Sequence, residues 1–135
     1  MTFAVVTDAP IDESRVRFEV ESQANGAAVV FLGIVRNHDE GREILSLDYQ
    51  THPDAERILR ECCEQVSSDT GLVVAAAHRV GSLQIGDVAL CAAVGSAHRK
   101  ESFEACQLLV DRIKTEVPIW KKQHYLDGES EWVGL

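Results

Sequence analysis

The ten residues GAAVVFLGIV, from Gly26 to Val35, form an unbroken apolar run rich in β-branched side chains. A run this continuous does not suit a half-solvated surface. It predicts a strand covered on both faces and central in its sheet, with Gly33 marking a bulge or a close backbone approach. A central strand needs neighbours, and the chain supplies them. FAVVT at residues 3–7 is a short apolar run, VRFEVE from Val16 and ILSLDYQT from Ile44 alternate apolar with polar, and LVVAAAHRV and DVALCAAVGSA are two further strands joined by GSLQIG. RNHDEGRE, after the long run, carries the polar and glycine signals of a loop.

Two helical patterns interleave with these strands. Ala55, Ile58, Leu59, Cys62 and Val66 fall at three- and four-residue intervals, which predicts a helix from about Pro53 to Ser68, opened by the proline and closed before Gly71. Phe103, Cys106, Val110, Ile113 and Val117 make the buried stripe of a second helix that starts near Lys100 and stops at Pro118. Lys114 leaves that helix beside the stripe. The tail DGESEWVGL predicts a short edge strand at Trp132 and Val133. With no repeat or linker between elements, the expected fold class is α+β, one domain over residues 1–135, a mixed sheet with a large antiparallel share and two main helices.

No apolar stretch approaches the roughly 20 residues of a membrane span, and MTFAVVTDAPIDES lacks the basic start and apolar centre of a signal peptide, so a cytoplasmic protein is expected. Cys62, Cys63, Cys91 and Cys106 show no CxxC spacing and are expected to be reduced core thiols. The five histidines show no HxH, HxxxH or HExxH spacing, so no metal is expected. There is no GxSxG elbow, P-loop or GxGxxG fingerprint either.

The charge distribution is uneven. The chain has net charge −9, which argues against nucleic acid or an anionic membrane as partner. Residues 96–124 nevertheless hold six cations against four acids. A local cationic cluster in an acidic background suggests a small anionic ligand. His98 and Arg99 sit where a strand meets a helix N-terminus, whose free N–H groups and partial positive charge suit an anion; the alternative is a solvated cap. Lys114 and Lys121 could act as general base or nucleophile, stabilise a developing anion, or simply complement a helix dipole. Trp120, after the turn fixed by Pro118, suggests a shaped pocket beside Lys121. Arg36 closes the long apolar strand and either projects into a cleft or pairs with Asp39 or Glu40.

Taken in order, GIVRNH, HRVGSLQIGD, SAHR and KTEVPIWKK resemble the molybdopterin synthase large, catalytic subunit family, and the likeness runs over nearly the whole chain. The resemblance implies an α/β hammerhead fold and a sulfurtransferase of molybdenum cofactor biosynthesis. Its substrate is cyclic pyranopterin monophosphate, and the two dithiolene sulfurs come from the C-terminal thiocarboxylate of a small ubiquitin-like subunit, with no further cofactor. It also implies a homodimer of large subunits within a heterotetramer, with pocket groups drawn from both large subunits. By the same resemblance, Arg36, His98 and Arg99 match the positions that hold the anionic pterin, Lys114 and Lys121 those at the reacting centre, and Pro118 and Trp120 the pocket wall. Gln123 and Gln50 depart from the family pattern, each standing where an acid is common. The ending WVGL lacks Gly-Gly, so a separate sulfur donor is expected. Two rival readings are a non-catalytic scaffold that keeps the anion pocket and a phosphate-ester hydrolase.

Overall fold

The computed structural model describes residues 2–133. Two sheets form, not one. The first has the strand order β1 (Phe3–Thr7), β5 (Val73–Arg79), β7 (Val88–Ser96), β2 (Ala27–Ile34), with β1 parallel to β5 and the other pairs antiparallel. The second runs β3 (His38–Asp39), β4 (Arg42–Thr51), β8 (Ile119–Tyr125), β9 (Ser130–Val133), all antiparallel, and β6 (Gly81–Gln84) also pairs with β4.

Helices α2 (Ala55–Thr70) and α3 (Arg99–Glu116) cover one face of the first sheet, and the short α1 (Glu13–Phe18) covers the other. Period-two alternation explains how both faces are served by the same strands. Val74, Ala76, Ala92 and Val94 turn toward α2 and α3, while Ala75, Ala77, Cys91 and Ala93 turn toward Val16 and Val20. The many alanines let the covering helices approach closely. Leu59, Cys63, Val66, Leu109 and Ile113 fill the helix side at no more than 1 % exposure.

Several expectations are corrected. The long apolar run is β2, and it lies at the edge of its sheet: only β7 pairs with it, and Val30 and Ile34 are exposed. The fully covered central strand is β7. The register does shift between Gly33 and Ile34, as the glycine signalled. VRFEVE is not a strand but runs from α1 into the turn that follows it. Asp12 caps that helix by accepting from the Arg15 N–H at 3.1 Å, Arg15–Glu19 and Arg17–Glu21 pair at i,i+4, and Val16 and Val20 are buried while Phe18 is exposed. Four-residue spacing therefore outweighs the alternation.

GSLQIG contains a strand, because Leu83 plugs the seam between the sheets and Ser82 donates to Asp48 at 2.6 Å. Phe103 is exposed: it flanks the open edge of β2, whose apolar surface is covered by nothing among the described residues. The loop RNHDEGRE holds the two-residue strand β3 and a tight turn, with both Glu40 and Gly41 at positive φ, which matches the twist of a two-residue hairpin. The edge strand expected at Trp132 and Val133 is β9; Gly134 and Leu135 lie outside the described residues.

All four cysteines are buried and unpaired, and burial pushes their thiols up, Cys62 and Cys63 to about 12 and Cys91 to about 11. They are protonated core groups, unlike the thiolates of reactive cysteines.

One polar strap crosses the outer face of the second sheet. Asp48 of β4 takes a hydrogen bond from Ser82 and is joined at 2.5 Å to His124 of β8, whose other ring nitrogen meets Ser130 of β9 at 2.9 Å. The Ser82 hydroxyl, then His124, holds the Asp48 carboxyl below the usual carboxylate range. A depressed folded value means that the stabilisation is complete above the unfolded carboxylate's value of about 4 and is lost as pH falls through the folded one. In urea titrations across that acid window, the wild type should lose stability more steeply than Asp48→Asn. Parallel slopes would show that the strap contributes nothing.

Candidate active site

The two sheets meet at a seam of Val35, Ile44, Leu47, Leu83, Ala89 and Tyr125. Above it opens a cleft of about 330 Å³, within the size range of small-molecule sites. Its floor is apolar, contributed by Phe31, Leu47, Leu90 and Ile113 among others, and no aspartate or glutamate side chain among the described residues lines it.

Three cations reach it from three elements. Arg36 follows β2, where the bulge past Gly33 shifts the register, pairing with β7 ends at Ile34, and the Val35 N–H is held instead by the Asp87 carbonyl at 2.9 Å. Its guanidinium is largely exposed and pairs with Asp39 at 3.1 Å, so the cleft position and the ion pair considered from the sequence are both realised. Lys114 stands in the last turn of α3, next in sequence to the buried Ile113, and makes no ion pair among the described residues. Lys121 points inward from β8 and is half-buried. Its ammonium is held below the usual lysine range, first by burial and then by the charges of Lys114 and Arg36, against which Asp39 pulls upward.

Placing like charges together in a partly dry cleft is unfavourable for an empty fold and favourable once an anion arrives. The arrangement can bind an anion, stabilise negative charge as it develops, and lower a lysine toward use as a base.

Three further polar residues line the cleft outside the set of expected site residues: Tyr49, His78, which opens the HRVGSLQIGD segment, and Gln123, which departs from the family pattern. Within the apolar strand β5, His78 is the one ring-bearing polar residue. Strand β8 itself escapes pattern reading. Its inward positions are Ile119, Lys121, Gln123 and Tyr125, so the residues that serve the cleft break the apolar alternation that would have marked a strand.

The remaining sequence-selected residues lie elsewhere. His98 is the N-cap of α3 and Arg99 its first residue; both are exposed. The His98 side chain makes no capping bond, and the turn is fixed instead by Ser96, whose hydroxyl donates to the His98 carbonyl and lies 2.5 Å from the Ser102 hydroxyl. Arg99 and Lys114 stand near opposite ends of one helix, about 22 Å apart along its axis at ~1.5 Å per residue, so one chain does not bring them together. Pro118 and Trp120 do not line the cleft. The Pro118 carbonyl accepts from the His52 N–H at 3.1 Å, and Trp120, 45 % exposed, points to the opposite face of β8 from Lys121. Among the described residues no cluster of three or more His, Cys, Asp or Glu is arranged to hold a metal ion, and no helix is long and apolar enough to cross a membrane.

This fold has close relatives. The family model described as MoaE protein matches residues 6–116. The molybdopterin synthase catalytic subunit of Nostoc sp. is 38% identical over 133 residues, covering 96% of this chain and 81% of that protein. That of Staphylococcus carnosus is 39% identical, covering 98% and 88%. The crystal structure of molybdopterin synthase from Staphylococcus aureus superposes with a TM-score of 0.89 at 36% identity, over 98% of this chain and 97% of the other. A match of this length in sequence and in backbone, on a chain whose cations converge on a cleft between two sheets, places it in the MoaE family, that of the molybdopterin synthase catalytic subunits.

Proposed function

We propose that this chain is a sulfurtransferase that converts cyclic pyranopterin monophosphate into molybdopterin, taking each dithiolene sulfur from the C-terminal thiocarboxylate of a small ubiquitin-like subunit. The observation that carries this reading is the convergence of Arg36, Lys114 and Lys121 on one cleft whose described lining holds no aspartate or glutamate. The thiocarboxylate sulfur attacks a precursor carbon and forms a C–S bond as a C–O bond at that carbon breaks, the displaced oxygen staying on the phosphate as an oxyanion or leaving, after protonation, as water. Water then cleaves the acyl–sulfur bond, leaving sulfur on the pterin and a carboxylate on the small subunit; a second thiocarboxylated subunit supplies the second sulfur. Both steps gather negative charge on sulfur and oxygen, which fixed cations in a partly dry cleft stabilise. Lys114 and Lys121 are the catalytic residues in this scheme, and Arg36 holds the anionic substrate. No bound metal or prosthetic group takes part.

His98 and Arg99 enter the scheme from a second copy. Strand β2 has a free edge flanked by exposed Val30, Ile34 and Phe103, apolar surface that a symmetric partner would cover. Two β2 edges related by a two-fold axis pair antiparallel. Because α3 runs alongside β2, with Ser102 near the Ala27 carbonyl and Ile113 near the cleft end, that pairing sets the α3 N-terminus of one copy beside the cleft of the other. A homodimer so built, with a small subunit at each cleft, is a heterotetramer.

Purified chain mixed with cyclic pyranopterin monophosphate and thiocarboxylated small subunit should form dithiolene product in a single turnover. No product from a folded chain that binds the small subunit would replace catalysis with a scaffold role. Arg99→Ala should raise KM about ten-fold or more with a smaller change in kcat, the loss expected for one charge-assisted contact to an anion. Mixed dimers of Arg99→Ala with Lys114→Ala should recover activity through the one intact composite site. Failure to recover would place His98 and Arg99 outside the reacting cleft.

A further inference from the structure

We propose that Arg79 and Asp87 form a strut outside the cleft that positions Arg36 at its mouth. The strut is built of contacts within the chain; the task given to Arg36, holding the anionic substrate, rests on the function proposed above.

The HRVGSLQIGD segment, residues 78–87, gives the cation set no member, yet its arginine and its aspartate meet. Arg79, at the end of β5, brings Nη1 to 3.3 Å from a carboxylate oxygen of Asp87. The same oxygen accepts from the Gln84 N–H at 2.9 Å, and the Asp87 N–H donates to the Gln84 carbonyl at 3.1 Å. Gly86, at positive φ, lets the chain turn between them. One carboxylate therefore closes the turn and ties it to β5. Gln84 ends β6, so the same contacts join the second sheet to the first. Packing does little of this work, because Gln84, Ile85 and Gly86 are exposed and only Leu83 behind them is buried.

That turn carries a clamp on Val35. The Gly86 N–H donates to the Val35 carbonyl at 2.8 Å, and the Val35 N–H donates to the Asp87 carbonyl at 2.9 Å. The Val35 carbonyl and the Arg36 N–H belong to one rigid peptide plane, so the clamp sets the direction in which Arg36 leaves the sheet. Beyond Arg36, the Asn37 carbonyl accepts from the Ile44 N–H at 2.8 Å, which leaves Arg36 between two fixed points. Its own ion pair with Asp39 is largely solvated on the arginine side, and such pairs hold a side chain weakly. The aim of the guanidinium thus depends on the backbone, and the backbone on the strut.

Stability alone does not ask for an arginine at position 79. Its Nε is buried with no hydrogen-bond partner among the described residues, a cost that an apolar side chain of similar length would not carry. What the arginine supplies, and an apolar side chain would not, is a fixed charge facing Asp87.

Amide hydrogen exchange reads the strut with no ligand present. Arg79→Met removes one end of the ion pair. Asp87→Asn removes the other and keeps an oxygen for the Gln84 N–H. In both variants the Val35 and Gly86 amides should exchange about ten-fold faster than in wild type, while Ala76 and Ala92, paired at the centre of the first sheet, keep their wild-type rates. Unchanged exchange at Val35, or the same acceleration at all four amides, overturns the proposal. The effect on Arg36 is read by calorimetric titration with cyclic pyranopterin monophosphate, without the small subunit. Each strut variant should weaken binding about five-fold, whereas on an Arg36→Ala background the same changes should add less than about two-fold, because no guanidinium is left to position. Equal weakening on both backgrounds, or none on either, overturns the positioning role. A folded wild type that does not bind the pterin refutes the function proposed above instead, and exchange at Val35 then upholds or overturns the strut by itself.

Discussion

Lys114→Ala lowers the single-turnover rate of sulfur transfer by about 100- to 1,000-fold, the loss seen when one preorganised group is removed from developing negative charge. The fold survives the change. Lys114 is exposed at its outer side, forms no ion pair among the described residues, and lies in the last turn of α3, where alanine propagates a helix at least as well as lysine. Exposed substitutions of this kind stay within about 0.5 kcal/mol in stability. Loss of rate with an unchanged thermal midpoint would assign Lys114 to the chemistry. A folded variant that turns over like wild type would remove it, and a variant that loses rate only because it unfolds would betray a structural role that the geometry does not contain.

Gly95→Ala unfolds the protein far more readily than its size suggests. A Cβ at Gly95 would run into the Val20 carbonyl oxygen and stand 2.9 Å from Asn25 Nδ2. The first obstacle is backbone, and the second is a side-chain end held by its own hydrogen bond. Asn25 is itself hydrogen-bonded to the Val20 carbonyl at 3.1 Å, so the crossing segment is braced against β7 at that point. Either β7 or the segment after α1 must shift, at a cost of about 3 kcal/mol, the upper part of the range for overpacking. For a chain of this length that lowers Tm by about 10 °C. Gly95 also precedes the Ser96 hydroxyl that fixes the His98 turn, so Arg99-dependent substrate binding should weaken with it. A Tm within about 2 °C of wild type would show the crossing to be soft.

How the strands and helices are ordered was largely legible in the residues. Apolar runs and three- to four-residue spacing located β1, β2, β4, β5, β7, α2 and α3, because those signals are local and each such element buries a face whose period its own sequence records. The GIVRNH, SAHR and KTEVPIWKK segments also pointed to the family, and within it to Arg36, Lys114 and Lys121, which the fold does gather at one cleft. Elements whose faces serve something other than a core were harder to see. β8 presents Lys121 and Gln123 inward, β6 has only Leu83 to bury, and α1 is a single capped turn and a half whose Val16, with Val20 just after it, also satisfies a strand pattern.

Position within the sheet was not local information at all. An unbroken apolar run says that a strand meets apolar surface on both faces, but not whether that surface belongs to the same chain. β2 is as apolar as a central strand and still stands at an edge with Val30 and Ile34 exposed. The same holds for the charged residues. Their identity and order come from the sequence, whereas the separation of His98 and Arg99 from Lys114 by the length of α3, and the place of His78 in the same cleft as Lys114, follow from how β5, β8 and α3 pack. Proximity across the chain is set by packing, and packing depends on contacts that no short window of residues contains.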